Sequence, residues 1–283
     1  MTQFAGLADR LDFLLPGFTR VSWVNDSARQ TWEPRFRRIR DCWREIEWRS
    51  AADGVRQGAL LPVGTRLAMD IAARPPVGVT TELLDPVKPI ASRYECPTNL
   101  SSTRERGWFG LGKPDHVCQL RDAVAGENHD EIGRLLGYPD CCRQAFIHVR
   151  IELEMADATW AMVLGASTES LNHPLETNIF WRQLGIRLVP HLPCSLACPQ
   201  SLQLAAAMSE VGHRHGFAAP LAWLREILSW PLEWSALHGI AEIKTPVLRL
   251  STSTDATASK YTFSWRCHGR APNGALTQLI ALA

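Results

Sequence analysis

The chain has 283 residues, 46% of them hydrophobic and 21% charged, with a formal net charge of +1. That composition belongs to a globular protein rather than a disordered one. So even a charge balance excludes a global field that would draw in nucleic acid or an anionic membrane. No apolar run approaches the length of a bilayer span. The first residues, Met1-Thr2-Gln3-Phe4, lack the charged opening and apolar core of a signal peptide, so a cytoplasmic protein is expected. Thiols stay reduced there, and clustered cysteines then point to metal or redox chemistry rather than to a disulfide frame.

In chain order, Leu7, Leu11, Leu14 and Leu15 predict a short helix stopped by Pro16-Gly17, and residues 19–25 read as a strand. Asp26-Ser27 is a candidate helix cap. The helix beyond it carries Phe36, Ile39, Trp43 and Ile46 at helical spacing, through to Trp48. Its other face is rich in arginine. Arginine interleaved with tryptophan can stack on single-stranded nucleic acid. A core face backed by ion pairs, Arg37 with Asp41 and Arg40 or Arg44 with Glu47, is the favoured expectation.

Residues 55–106 are too rich in proline and glycine for long helices, which predicts short strands and loops. The polar run 98–106 marks a boundary between an irregular N-terminal α+β region, 1–106, and a cysteine-motif domain, 107–283. Gly107 to Lys113 fits the start of a phosphate-binding loop, but Pro114 stands where a magnesium-binding hydroxyl is needed. A structural turn is expected there instead. Neither a dinucleotide fingerprint nor a nucleophile elbow is present.

A helix from His129 should end at Gly137. Pro139 then opens a longer one, with Cys141 and Cys142 in its first turn and a stripe from Phe146 through Val149, Leu153, Ala156 and Trp160 to Val163. Ile186 to Pro190 reads as a strand running into His191. Pro199 starts the next helix, to His213, with Ser195 or Cys198 as its cap, and another covers Leu221–Leu228. Two strands, 246–251 and 261–267, would form an antiparallel C-terminal pair joined by a turn at Thr254–Thr257. The expected fold class is therefore α+β.

The chemistry concentrates in Gly137-Tyr138-Pro139-Asp140-Cys141-Cys142 and His191-Leu192-Pro193-Cys194-Ser195-Leu196-Ala197-Cys198. Helix N-termini favour thiolate over thiol, and both cysteine pairs occupy that position. If the two helix starts face each other, four thiolates converge beside His191. They would hold zinc or an iron–sulfur cluster. Adjacent cysteines suit different irons of a cluster better than one small ion. Three cysteines with His191, or three with an open iron site, fit equally well. Dithiol redox chemistry and plain packing are the alternatives. Cys42, Cys96, Cys118 and Cys267 are scattered singly and read as small buried hydrophobes. His238 and Glu242, four apart, would share one face of a helix as an acid–base pair.

The two motifs together, with Phe146 after the first and Ser201 after the second, resemble the prokaryotic DUF483 family over roughly residues 129–210. The resemblance supports the site and implies no reaction. The leading expectation is a metal-dependent enzyme, with an iron–sulfur cluster on Cys141, Cys142, Cys194 and Cys198. His191 would be a ligand or proton donor, and a small-molecule substrate would lie near His238 and Glu242. A zinc-stapled module binding a partner or RNA through the Arg/Trp helix is the alternative, and a metal-free thiol enzyme the third reading.

Overall fold

The long helix α1 (Asp26–Ala52) packs against β1 (Thr19–Trp23), β2 (Gly58–Pro62), β4 (Trp108–Gly112), α7 (Pro199–Arg214) and α8 (Ala218–Ser229). The computed structural model describes residues 10–11, 15, 17–62, 66–84, 108–155, 157–164 and 172–267. Asn25, rather than Asp26 or Ser27, caps α1, its Oδ1 accepting from the Ala28 N–H at 2.8 Å. Trp32, Phe36, Ile39, Trp43 and Ile46 are all buried, so the tryptophan face is core. Trp32 meets Trp230 edge to face, with ring centroids 4.8 Å apart. The arginine face pairs locally, Arg29 and Arg37 with Glu33 and Arg44 with Asp41. Glu47 does not take the helical partner expected for it. It accepts from Arg187, 140 positions away, at 2.9 Å.

The remaining elements are β1 (Thr19–Trp23), β2 (Gly58–Pro62), α2 (Arg66–Ala73), β3 (Thr80–Leu84), β4 (Trp108–Gly112), α3 (Pro114–Ala125) and α4 (His129–Leu135). Then come α5 (Asp140–Ile147), α6 (Thr159–Leu164), β5 (Asn172–His173), α7 (Pro199–Arg214) and α8 (Ala218–Ser229). Four strands close the described chain: β6 (Leu232–Leu237), β7 (Ile240–Lys244), β8 (Leu248–Ser253) and β9 (Tyr261–Cys267). The fold is α+β.

The larger sheet runs β1-β8-β7-β6-β9-β5, antiparallel except for the β5–β9 pair. Alternation in β7, with Ala241 and Ile243 buried and Ile240 and Glu242 exposed, gives it one wet face. The other joins α1, α7 and α8 in one core. Gly212 lets these helices close, because a Cβ there would lie 2.7 Å from Ile46 and Leu221. The two expected C-terminal strands, β8 and β9, do not pair with each other; β7 and β6 lie between them.

The smaller sheet, β2-β4-β3, has a core on each face. Its central strand is the glycine-rich segment Trp108–Gly112, a strand where a turn was expected, so residues on both sides of the anticipated domain boundary share one sheet. The linker 98–106, Cys96, Ala156 and most of the first expected helix lie outside the described residues.

Two further readings change. The helix begun at Pro139 does not run on to Val163. It passes through a π-helical turn at His148–Glu152, and Glu154 takes φ of +50°. Asp157 then accepts from the Thr159 N–H at 2.9 Å and starts α6. Ile186 to Pro190 is not a strand. Ile186, Leu188 and Val189 are all buried together, an irregular segment filling the core.

Candidate metal centre

The first motif is delivered by a helix ending. Gly137, at φ of +73°, follows α4, with Gly137 N–H bonded to Arg134 O at 3.0 Å and Tyr138 N–H to Gly133 O at 2.9 Å. This paired arrangement closes a helix through a left-handed glycine. The buried Arg56 packs against that glycine and donates to Ser50 Oγ (2.7 Å), Leu136 O (3.3 Å) and Glu47 O. It ties the motif to α1. Pro139 then caps α5, with Cys141 and Cys142 in the first turn.

The second motif is a loop whose end, Cys198, is the N-cap residue of α7, with Pro199 at the first helical position. The start of α5 and the loop entering α7 bring four sulfurs within 4.8 Å of one another. Cys142 and Cys198 are 3.6 Å apart, Cys141 and Cys198 3.7 Å, and Cys141 and Cys142 3.8 Å. The four sulfurs therefore converge, as expected if the two motifs face each other, and the adjacent pair Cys141 and Cys142 converges with them. The Cys194 N–H donates to Cys142 Sγ at 3.4 Å, and Ser201 Oγ lies 3.3 Å from the same sulfur.

Burial pushes the Cys142 thiol well up and the Cys194 thiol up to about 12. Burial also opposes ionisation of Cys198, but hydrogen bonds from the Ser201 hydroxyl and backbone outweigh it and bring the thiol down to about 7. A cation is what would let all four ionise together.

His191 is buried beside the cluster rather than in it. Its Nε2 bonds Ser201 Oγ at 2.9 Å, and its ring lies 5.2 Å from that of Tyr138. Burial, then the charges of Arg56 and Arg187, push its imidazole down to about 3, so it is neutral at pH 7. Ser201 therefore bridges Cys142 and His191. It sits in the first turn of α7, three residues past Cys198, a spacing that turns a side chain back toward a helix start.

His238 and Glu242 lie in a hairpin rather than on one face of a helix. His238 (φ +50°) and Gly239 (φ +80°) form the two-residue turn between β6 and β7, and Glu242 lies in β7 against Lys244 at 3.6 Å. Both central residues at positive φ make this a hairpin turn that favours such residues. The helical spacing that joined the pair is absent. Of the single cysteines, Cys42 is buried and its thiol raised to about 12 by burial, whereas Cys118 is exposed. No helix among the described residues is long and apolar enough to cross a membrane.

The fold and these sulfurs define an α+β protein with a four-cysteine cluster that can hold a metal. No family model matches the chain, and no curated protein and no solved structure is similar to it.

Proposed function

We propose that Cys141, Cys142, Cys194 and Cys198 hold one metal ion, zinc by its donor set, which clamps the start of α5 to the loop entering α7. One observation carries this reading. The separations of 3.6, 3.7 and 3.8 Å among the sulfurs of Cys141, Cys142 and Cys198 match the edge of a tetrahedron with metal–sulfur bonds of about 2.3 Å, which is about 3.8 Å, and the Cys194 sulfur lies within 4.8 Å of all three. Disulfide-bonded sulfurs would stand about 2.05 Å apart. A four-iron cluster puts each thiolate on its own iron and a two-iron cluster puts two on each, and either spreads sulfurs held on different irons further apart than the 4.8 Å that spans all four here. Soft thiolates select zinc among the common divalent ions, and a site with all four positions filled by protein is the structural type. This reading prefers a single ion to the cluster expected from the sequence. The kinship with DUF483 rests on the same two motifs and is part of the proposal.

The Arg/Trp helix loses its proposed binding role in this reading, because its tryptophans lie in the core. The test is metal, acid-labile sulfide and an absorption spectrum on protein purified without oxygen. One zinc per chain, no sulfide and no colour is the expected result, with zinc lost in Cys194→Ala. Brown protein with iron and sulfide would overturn the single-ion reading in favour of the cluster. Protein without any metal would overturn both.

A further inference from the structure

A cleft of about 390 Å³ opens where α1, the smaller sheet and the segment leading to His191 meet. Arg40, Arg44, Arg56 and Arg187 line it, and Glu47 is the one carboxylate among the described lining residues. Arg40 and Arg44 lie four apart on α1, so two like charges share one helix face at a cost. Both side chains are exposed. The stem of Arg40 rests on Gly185, where a Cβ would lie 3.2 Å from its Cγ and Cδ. Its guanidinium makes neither an ion pair nor a hydrogen bond among the described residues.

The other arginines leave the balance positive. Arg44 pairs with Asp41 at 3.3 Å, outside the cleft and exposed, a contact worth little. Arg187 meets Glu47 at 2.9 Å and keeps 33% of its side chain exposed. The buried Arg56 donates to neutral oxygens, Ser50 Oγ and the carbonyls of Leu136 and Glu47. A phosphate monoester, with a charge of about −1.5 to −2, matches this excess better than a carboxylate does. Arginine forks also suit its oxygens.

Leu60, Pro62 and Leu136 add apolar wall, and the half-buried Trp108 adds an aromatic ring. Trp43 also reaches the cleft but is core. Every nucleic-acid base has a face that stacks on such a ring. A net charge of +1 gives no field to hold a long strand. A concave site of this size suits one small ligand.

We propose that this cleft binds a nucleoside monophosphate, its phosphate on Arg40, Arg44 and Arg187 and its base against Trp108. Among the described residues no cysteine lines the cleft, so the proposal stands apart from the metal.

The test titrates the full chain by calorimetry with AMP, GMP, CMP and UMP, their nucleosides, ribose 5-phosphate and a short single-stranded RNA. Saturable binding of at least one nucleotide is expected. Its nucleoside and ribose 5-phosphate should each bind at least about tenfold more weakly. Arg40→Met keeps the stem on Gly185 and removes the charge, and should weaken binding at least about tenfold at an unchanged melting temperature. Arg37→Met, on the same helix but outside the cleft, should bind as the natural chain does. Failure of every nucleotide to bind folded chain overturns the proposal. A smaller loss in any of the three comparisons, or a matching loss in Arg37→Met, does the same. RNA that binds more tightly than every mononucleotide would give the arginines to a strand and overturn it too.

Discussion

Cys142 and Cys198 stand 56 positions apart in sequence and hold their sulfurs 3.6 Å apart. Each belongs to a different helix start, so whatever joins these sulfurs joins α5 to α7. A ligand that binds only the folded chain stabilises it by about 2.7 kcal/mol at a hundredfold its dissociation constant. For a chain of this size that is about 5–10 °C in melting temperature. Chelation, or Cys198→Ser, should lower the melting temperature by at least this much. Thermal unfolding with and without a strong chelator checks it, and identical curves for metal-loaded and stripped protein would sink the clamp.

His191 should make the protein acid-sensitive in a defined window. Its imidazole titrates at about 3 when folded, against about 6.5 in an unfolded chain. Between these values the unfolded state binds one more proton, so the stability is fully present above about 6.5 and drains away as the pH falls toward 3. The slope from this group is about 1.4 kcal/mol per pH unit. Denaturant unfolding of His191→Gln, at matched metal content, should show a profile flatter by that amount. Parallel profiles for the two proteins would refute the assignment.

Asp157 anchors Arg182 within a buried network. Its carboxylate accepts from the Thr159 N–H (2.9 Å), the Thr159 hydroxyl (2.5 Å), the Thr254 hydroxyl (2.8 Å) and Arg182. Burial opposes its charge, but Arg182 and these hydrogen bonds hold its carboxyl below the usual range. Removing one partner of such a pair leaves the other buried and uncompensated. Asp157→Ala is expected to cost about 3–5 kcal/mol, read as a shift in the urea midpoint. A loss under 1 kcal/mol would mean that Arg182 finds another partner.

The two faces of α1 should respond oppositely to mutation. Trp32 packs on Trp230 in the core, and Trp32→Ala should cost about 3–5 kcal/mol. Among the described residues Arg37 pairs with Glu33 alone, on the exposed face, so Arg37→Ala should stay within about 0.5 kcal/mol. Paired unfolding curves decide this. A stable Trp32→Ala protein would reopen the reading of that face as a binding surface.

Local pattern carried much of this protein. The periodicity of Phe36, Ile39, Trp43 and Ile46 gives α1, Gly137 ends α4, and Pro199 opens α7, because each depends on neighbours within one or two turns. The same local logic put Cys141, Cys142 and Cys198 at helix starts, but Cys194 lies in the loop that enters α7. It did not show that Glu47 would pair with Arg187, that β7 and β6 would separate β8 from β9, or that His238 would turn a hairpin. The adjacent cysteines are the sharpest case. Their sulfurs meet at one point only because α7 brings Cys198 and the loop brings Cys194 to the start of α5. Spacing along the chain fixes which residues share a turn. Which turns face one another depends on burial of the common core around α1, and that is settled by contacts between residues far apart in sequence.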